Sequence, residues 1–298
     1  QKCLYFCPVK QKYINNWEYY NVDKKLLSEL FQDLVMKTSV LGALLEIILR
    51  KPDSVYCWWW HRSFWVILVS KLMGINVVCT GAIHMYDESG GIDWYKRNVL
   101  ARLFIKLSLR ICSSNLFISN SQFRQITSHL KVSNPAVVKS SLSFDWDENR
   151  LGSRSNEILK NENIDLSKIF ISNVTWLTKS QIIRKNLINI IDGVIISKEI
   201  YDIDIEMTII GSDGGAKEYL SSYLRKKGCE KYIFIKSDLE KLEKDLILGN
   251  SDIYIQPTYY EGFGNAVLEA MSFGIPTIVS CNTAQPEVVG EAGYIIPE

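Results

Sequence analysis

Short apolar runs alternate along this chain with longer stretches whose apolar positions recur at helical spacing. In the first half the runs predict strands at residues 3–7, 33–38, 54–59, 76–80, 115–119 and 136–142, with helices over 23–30, 40–51, 63–74 and 94–112 between them. Around 143–163 the pattern lapses into SFDWDENRLGSRSNEILKNEN, a polar stretch suited to a linker. Alternation restarts with strands at 169–176, 205–211, 232–236, 253–257 and 276–281 and helices over 186–198, 216–227, 239–248 and 265–273. Repeated strand–helix alternation is the pattern of parallel sheets covered by helices. The expected fold class is therefore α/β, with two doubly wound Rossmann-like domains, 1–150 and 151–298. In such sheets ligands bind beyond the carboxyl ends of the strands.

The segment IYIQPTYYEGFGNAVLEAMSFGIPTIVSC, residues 253–281, carries the most chemistry. An apolar strand runs into Pro257, then into a loop with Glu261, Gly262, Phe263 and Gly264, then into a helix beginning near Asn265. The glycines allow a tight turn and close backbone approach to a ligand. The first N–H groups of the helix lie at the positive end of its dipole and form an anion site. Glu269 lies about one turn further, roughly 6 Å at 1.5 Å per residue. A diphosphate at the helix start would leave a ribose beside Glu269, and Glu261 could reach a sugar on the other side.

This block resembles the signature of retaining glycosyltransferases of family four, such as those that build bacterial capsule, O-antigen and lipopolysaccharide. AQPEVVGEAGYIIP extends the resemblance toward the end of the chain. The resemblance implies the GT-B arrangement, two domains facing a cleft, with Glu261 on the donor sugar and Glu269 on the ribose hydroxyls. Phe263, Gly264 and Asn265 would offer backbone N–H groups to the diphosphate. In VTWLTKSQIIRKN, residues 174–186, Lys185 matches the family's diphosphate-binding Lys. The family's Arg earlier in that loop falls at Trp176 or Thr178 here, so Arg184 or Lys179 is the candidate substitute. His84 follows an apolar strand in VVCTGAIHMYDESGG and matches a His that family members carry near the donor sugar; Asp87 and Glu88 beside it are acceptor candidates. The implied activity is transfer of a hexose-type sugar from a UDP- or GDP-sugar to a hydroxyl of a glycan or lipid-linked acceptor, with retention and without a metal or other cofactor. A sugar-nucleotide epimerase, a phosphorylase and a catalytically silent sugar-nucleotide-binding protein are the alternatives.

Composition adjusts this picture in a few places. Hydrophobic residues at 47% and charged ones at 22% are the balance of a globular protein. Residues 1–150 carry 19 Lys and Arg against 12 Asp and Glu, while the remainder carries 15 against 21. Halves of opposite sign point to different partners. Arg102, Lys106 and Arg110 stand four apart on one helix, either a solvated face or a surface for anionic lipid headgroups. No nucleic-acid partner is expected. Seven scattered cysteines without a Cys-x-x-Cys pair indicate neither zinc nor a disulfide framework and suit a reducing cytoplasm. Asp145-Trp-Asp147 and Asp202-Ile-Asp204 are weak metal candidates, the first in the linker and the second at a strand's entry. Trp58, Trp59 and Trp60 are expected to fill both faces of a sheet. The longest apolar stretch, 64–83, is interrupted by Lys71, Gly74 and Asn76, which argues against a span; the expected location is cytoplasmic, peripheral at the inner face of the membrane. Both chain ends read as trimmed, with further helices expected after Glu298.

Overall fold

A computed structural model describes residues 2–6, 33–37, 39–81, 85, 94–139 and 168–297. They sort into two compact units, each built on its own six-stranded parallel sheet. The expected boundary at residue 150, the linker around it and the expected helix over 23–30 lie outside the described residues.

The N-terminal unit runs β1 (Lys2–Phe6), β2 (Asp33–Lys37), α1 (Val40–Arg50), β3 (Ser54–Trp58), α2 (Phe64–Leu72), β4 (Asn76–Thr80), α3 (Val99–Ile111), β5 (Ser114–Phe117), α4 (Asn120–His129) and β6 (Pro135–Val137). Its strand order is β2-β1-β3-β4-β5-β6. From β2 onward every crossover steps the same way, so right-handed connections put α1 to α4 on one face. Alternation within the strands serves that layer. Val55, Cys57, Val77, Cys79 and Phe117 are buried and share a core with Ile47, Ile67, Ile105 and Leu109, while Tyr56 and Val78 between them are half-buried.

Local chemistry sets the helix ends. Ser39, Asn98 and Ser119 each accept a hydrogen bond from an N–H in the first turn, at 3.0, 2.8 and 3.0 Å. Asn98 also explains why the expected helix over 94–112 is broken. Its extended backbone and cap start α3 at Val99, leaving Trp94–Lys96 as a separate 3-10 turn. The tryptophan run needs a correction too. β3 ends at Trp58; Trp59 takes a left-handed φ of 65° and turns the chain, so the three rings do not alternate across a sheet. Trp60 reaches the core from that turn, stacks on Phe117 at 5.9 Å and donates its indole N–H to Asn115 Oδ1 at 2.7 Å.

The C-terminal unit runs β7 (Ile169–Val174), α5 (Lys179–Arg184), α6 (Leu187–Ile200), β8 (Ile205–Gly211), α7 (Lys217–Lys227), β9 (Ile233–Ser237), α8 (Lys241–Gly249), β10 (Ile253–Gln256), α9 (Asn265–Ser272), β11 (Thr277–Ser280), α10 (Gln285–Val289) and β12 (Gly293–Ile296). Its strand order is β12-β11-β10-β7-β8-β9. Counted from β7 that is 3-2-1-4-5-6 read backwards, the doubly wound order whose direction reverses between the first and fourth strands, β7 and β10. Loops leaving those two strands diverge, and the gap between them is where such sheets hold ligands. Gly211 at the end of β8 has no room for a side chain, since a Cβ there would lie 1.5 Å from Thr175 O. That contact holds the loop after β7 against the loop after β8.

Asn115 is the polar keystone of the first core. Besides accepting from Trp60, its amide donates to Leu109 O and Ser133 O at 3.0 and 2.6 Å. Asn115→Leu should take the partner from the buried Trp60 indole N–H and from the half-buried Ser133 O, at about 1–3 kcal/mol each, while Leu109 O keeps Ser133 N at 2.9 Å. Urea denaturation should show the N-terminal unit unfolding at a clearly lower midpoint; an unchanged midpoint would show that Trp60 and Ser133 O find other partners.

Candidate functional site

Both strands that flank the reversal point carry chemistry at their carboxyl ends. After β7 the chain passes Thr175, exposed Trp176 and buried Leu177 before Thr178 caps α5 with its hydroxyl, 3.2 Å from Gln181 N. α5 is short because Lys185 ends it and Asn186, at φ 58°, turns the chain into α6. With Ile182 and Leu187 anchored in the core on either side, Lys185 is drawn inward and is 7% exposed.

After β10 the loop folds onto that corner. Tyr259 N and Thr258 Oγ1 both donate to Arg184 O, at 2.9 and 2.6 Å, and Glu261 N donates to Thr283 Oγ1 at 2.8 Å. Lys185 Nζ thereby meets Glu261 Oε2 at 2.5 Å. Arg184 Nη1 lies 3.6 Å from the other carboxylate oxygen and 3.3 Å from Tyr260 O, while Gln181 Oε1 takes Arg184 Nε and Nη2. Burial pushes Lys185 below the ordinary lysine range; the Glu261 carboxylate opposes that shift and the Arg184 charge adds to it.

A polar chain beneath the loop aims the carboxylate. The Tyr254 hydroxyl donates to Gln256 Oε1 at 2.7 Å, which turns the amide so that Nε2 faces Glu261 Oε2 at 3.4 Å. Burial raises Tyr254 far above its ordinary value, so it remains a donor. Gln285 Nε2 completes the support by donating to Gln256 O at 2.7 Å.

Gly264, at φ 111°, caps α9 with no side-chain hydrogen bond. Its carbonyl takes Val267 N and Leu268 N. The N–H groups of Phe263, Gly264 and Asn265 thus precede the helix at its positive end. Phe263 is buried and Asn265 exposed. Glu269, one turn on, does not stand alone: Lys244 Nζ of α8 lies 2.5 Å from its Oε1, with side chains 26% and 14% exposed.

Lys185, Arg184, Glu261, Gly264 and Glu269 are thus gathered at the loops from β7 and β10 and along α9. Lys179, the other candidate cation, is exposed at the first position of α5. His84, Asp87, Glu88, Asp145 and Asp147 lie outside the described residues. Asp204 is paired with Lys198 at 2.5 Å at the entry of β8, the wrong end of a strand for a ligand. Sequence reasoning missed Lys244, Gln256 and Thr283. Nothing in the run LEKLEKDLIL singles Lys244 out from its neighbours; the contact that distinguishes it is with a residue 25 positions away.

Residues 156–298 match the family described as glycosyl transferases group 1. The C-terminal half thus resembles a group 1 glycosyltransferase domain. A stretch of 42 residues is 52% identical to O-antigen chain mannosyltransferase B of Escherichia coli, covering 14% of this chain and 11% of that protein. The chain thus spans about a tenth of the length of that curated relative. Among solved structures, Anabaena Alr3699/HepE in complex with UDP and glucose is similar with a TM-score of 0.64 and 14% identity, over 99% of this chain and 85% of that one. The lipopolysaccharide outer core galactosyltransferase WaaB, apo form, is similar with a TM-score of 0.62 and 15% identity, over 100% and 86%. These likenesses show the fold, which is GT-B with two Rossmann-like parallel-sheet domains. Glu261 and Glu269, the two carboxylates expected from their spacing, both lie within the matched residues.

The Lys244–Glu269 pair can be tested apart from any ligand. Lys244→Met leaves a largely buried carboxylate without its cation and should cost about 1–3 kcal/mol. Adding Glu269→Gln should recover most of that loss, because removing both charges removes the desolvation penalty. Additive losses in urea denaturation would show that the two residues do not interact in solution.

Proposed function

We propose that the protein is a retaining, metal-independent glycosyltransferase. It takes a hexose-type sugar from a UDP- or GDP-sugar and places it on a hydroxyl of a glycan or lipid-linked acceptor in surface-polysaccharide synthesis. The observation that carries this reading is the meeting of Lys185 and Glu261 beside the uncapped start of α9, at the reversal point of a group 1 glycosyltransferase domain. Relatives support the substrate class: an Anabaena neighbour was solved with UDP and glucose.

On this reading the diphosphate lies at the N–H groups of Phe263, Gly264 and Asn265, with Lys185 and Arg184 as its cations. Arg184 takes the place of the Arg expected earlier in the loop, a position that falls here at Trp176 or at the cap residue Thr178. Glu261 turns toward the donor sugar's hydroxyls, and Glu269 accepts from the ribose. The bond between the sugar's anomeric carbon and the diphosphate oxygen breaks, and its electron pair passes to the diphosphate. The acceptor oxygen bonds to the same face of the anomeric carbon, and its proton passes to the departing phosphate oxygen. The family resemblance offers His84, outside the described residues, as a further candidate for contact with the donor sugar. The protein's principal contribution is stabilising charge on the leaving group with preformed donors. Around a lipid-linked acceptor, Arg102, Lys106 and Arg110 meet anionic headgroups.

Three measurements check this proposal. Calorimetry with UDP and GDP should show Glu269→Ala weakening the bound nucleotide by about 1.5–3 kcal/mol; unchanged affinity would remove the ribose assignment. Because Lys185 holds its proton less tightly than a free lysine, nucleotide affinity should fall as pH rises through its lowered pKa, the diphosphate losing a cation. Lys185→Met should bind weakly at every pH and lack that alkaline fall, and a wild-type profile from the variant would acquit Lys185. With a panel of UDP- and GDP-sugars, turnover should persist in EDTA. Complete loss, restored by manganese, would overturn metal independence.

A further inference from the structure

The outer face of the N-terminal helix layer is unusual for a surface turned to water. α1 packs on α2 and α2 on α3. On α1, Leu41, Leu45, Ile48 and Leu49 are 49–77% exposed, an outward stripe opposite buried Ala43 and Ile47. On α3, Val99, Leu100 and Leu103 are 46–68% exposed, and between them Trp65 of α2 is 52% exposed with its ring 5.9 Å from Phe104. Scattered exposed apolar residues are ordinary; a contiguous set on adjoining helices marks an interaction surface.

Charge says what kind. From Trp94 to Lys139 the sequence has eight Lys and Arg and no Asp or Glu. Lys106 and Arg110 are exposed and Arg102 half-buried along α3, in line with its apolar N-terminal half. Glu46 on α1 is already paired with Arg50 at 2.9 Å and contributes little negative field. A protein partner would have to cover a wide apolar face and supply acids around it. An anionic lipid leaflet offers both, an acyl boundary for Leu, Ile and Trp and phosphates for Arg and Lys.

We infer that the α1–α3 face docks on an anionic membrane, with the apolar side chains entering the headgroup–acyl boundary and Arg102, Lys106 and Arg110 on lipid phosphates. This deepens the lipid-facing part of the proposed function, adding apolar insertion to charge attraction, and does not depend on the donor chemistry. Insertion predicts a component of binding that salt does not remove, whereas headgroup attraction alone is screened.

The test is cosedimentation of the full chain with phosphatidylcholine vesicles, with and without phosphatidylglycerol, at low and high salt. The protein should sediment with the anionic vesicles, keep a residual fraction at high salt and ignore the neutral ones at low concentration. Combined Leu45→Ser, Leu100→Ser and Leu103→Ser, all exposed positions, should lower partitioning roughly tenfold or more and abolish the salt-resistant fraction. Charge reversal at Arg102, Lys106 and Arg110 should abolish the salt-sensitive part. A circular dichroism spectrum and urea midpoint unchanged from wild type certify the fold of both variants, whose altered residues all lie in the N-terminal unit. Undiminished salt-resistant binding by the serine variant would overturn insertion while leaving charge attraction. Absence of binding, or equal binding to both vesicles, would overturn membrane docking altogether, as would a dimer in size-exclusion chromatography that the serine variant splits.

Discussion

An ammonium as enclosed as that of Lys185 is costly unless a carboxylate stands against it, and the carboxylate is costly in turn unless its remaining lone pairs are met. The C-terminal unit solves both problems with one contact between loops. Arg184 O receives Thr258 Oγ1 and Tyr259 N, which fixes the loop after β10 against the α5–α6 corner and brings Glu261 to Lys185. Gln256 from below and Arg184 from the side complete the carboxylate's surroundings. Glycine at 264, the abrupt end of α5 and the left-handed Asn186 all follow as conditions for keeping these two charges together. A pair so enclosed is also poised, because an arriving anion can compete with Glu261 for Lys185 without first gathering a cation from solvent.

Topology explains why the pair forms where it does. In the 3-2-1-4-5-6 order the chain leaves β7 toward one side and β10 toward the other, so only their loops can approach a common gap from opposite directions. The N-terminal sheet, ordered β2-β1-β3-β4-β5-β6, reverses between β1 and β3 instead. Beyond β3 stand the turn at Trp59 and His61. The two sheets share a construction rule and differ in where the rule opens a gap.

Strand existence was readable because parallel strands buried by helices are short, dense apolar runs, and eleven-residue helices such as α1 and α7 carry an apolar stripe. α4 was not read because NSQFRQITSH offers little more than Phe123 and Ile126 to a core, and its start is set by the Ser119 cap, which reads equally well as the end of a strand. α5 was absorbed into a loop because six residues cannot show a period. For the candidate site, Glu261, Glu269, Lys185 and the glycines announce themselves by spacing along one segment. Lys244, Gln256 and Thr283 do not, since each acts through a partner brought near by β-sheet packing rather than by sequence. Local chemistry is written locally, and the residues that aim it are not.

The two units treat charge in opposite ways. In the C-terminal unit the acids and bases of the site neutralise one another at 2.5 Å inside a packed loop system. Such pairs make geometry that an incoming ligand must displace, which favours selectivity over avidity. On the N-terminal helix layer basic residues border exposed leucines with no acids on the same stretch. A surface of that kind accommodates many anionic headgroups equally and imposes no single geometry. On the proposed function, selectivity would be concentrated where a small donor must be oriented to within fractions of an ångström, and tolerance where only proximity to an extended surface is required. For the donor and lipid-linked acceptor proposed above, this division would place the two tasks on different sheets, so that each could be tuned without disturbing the other.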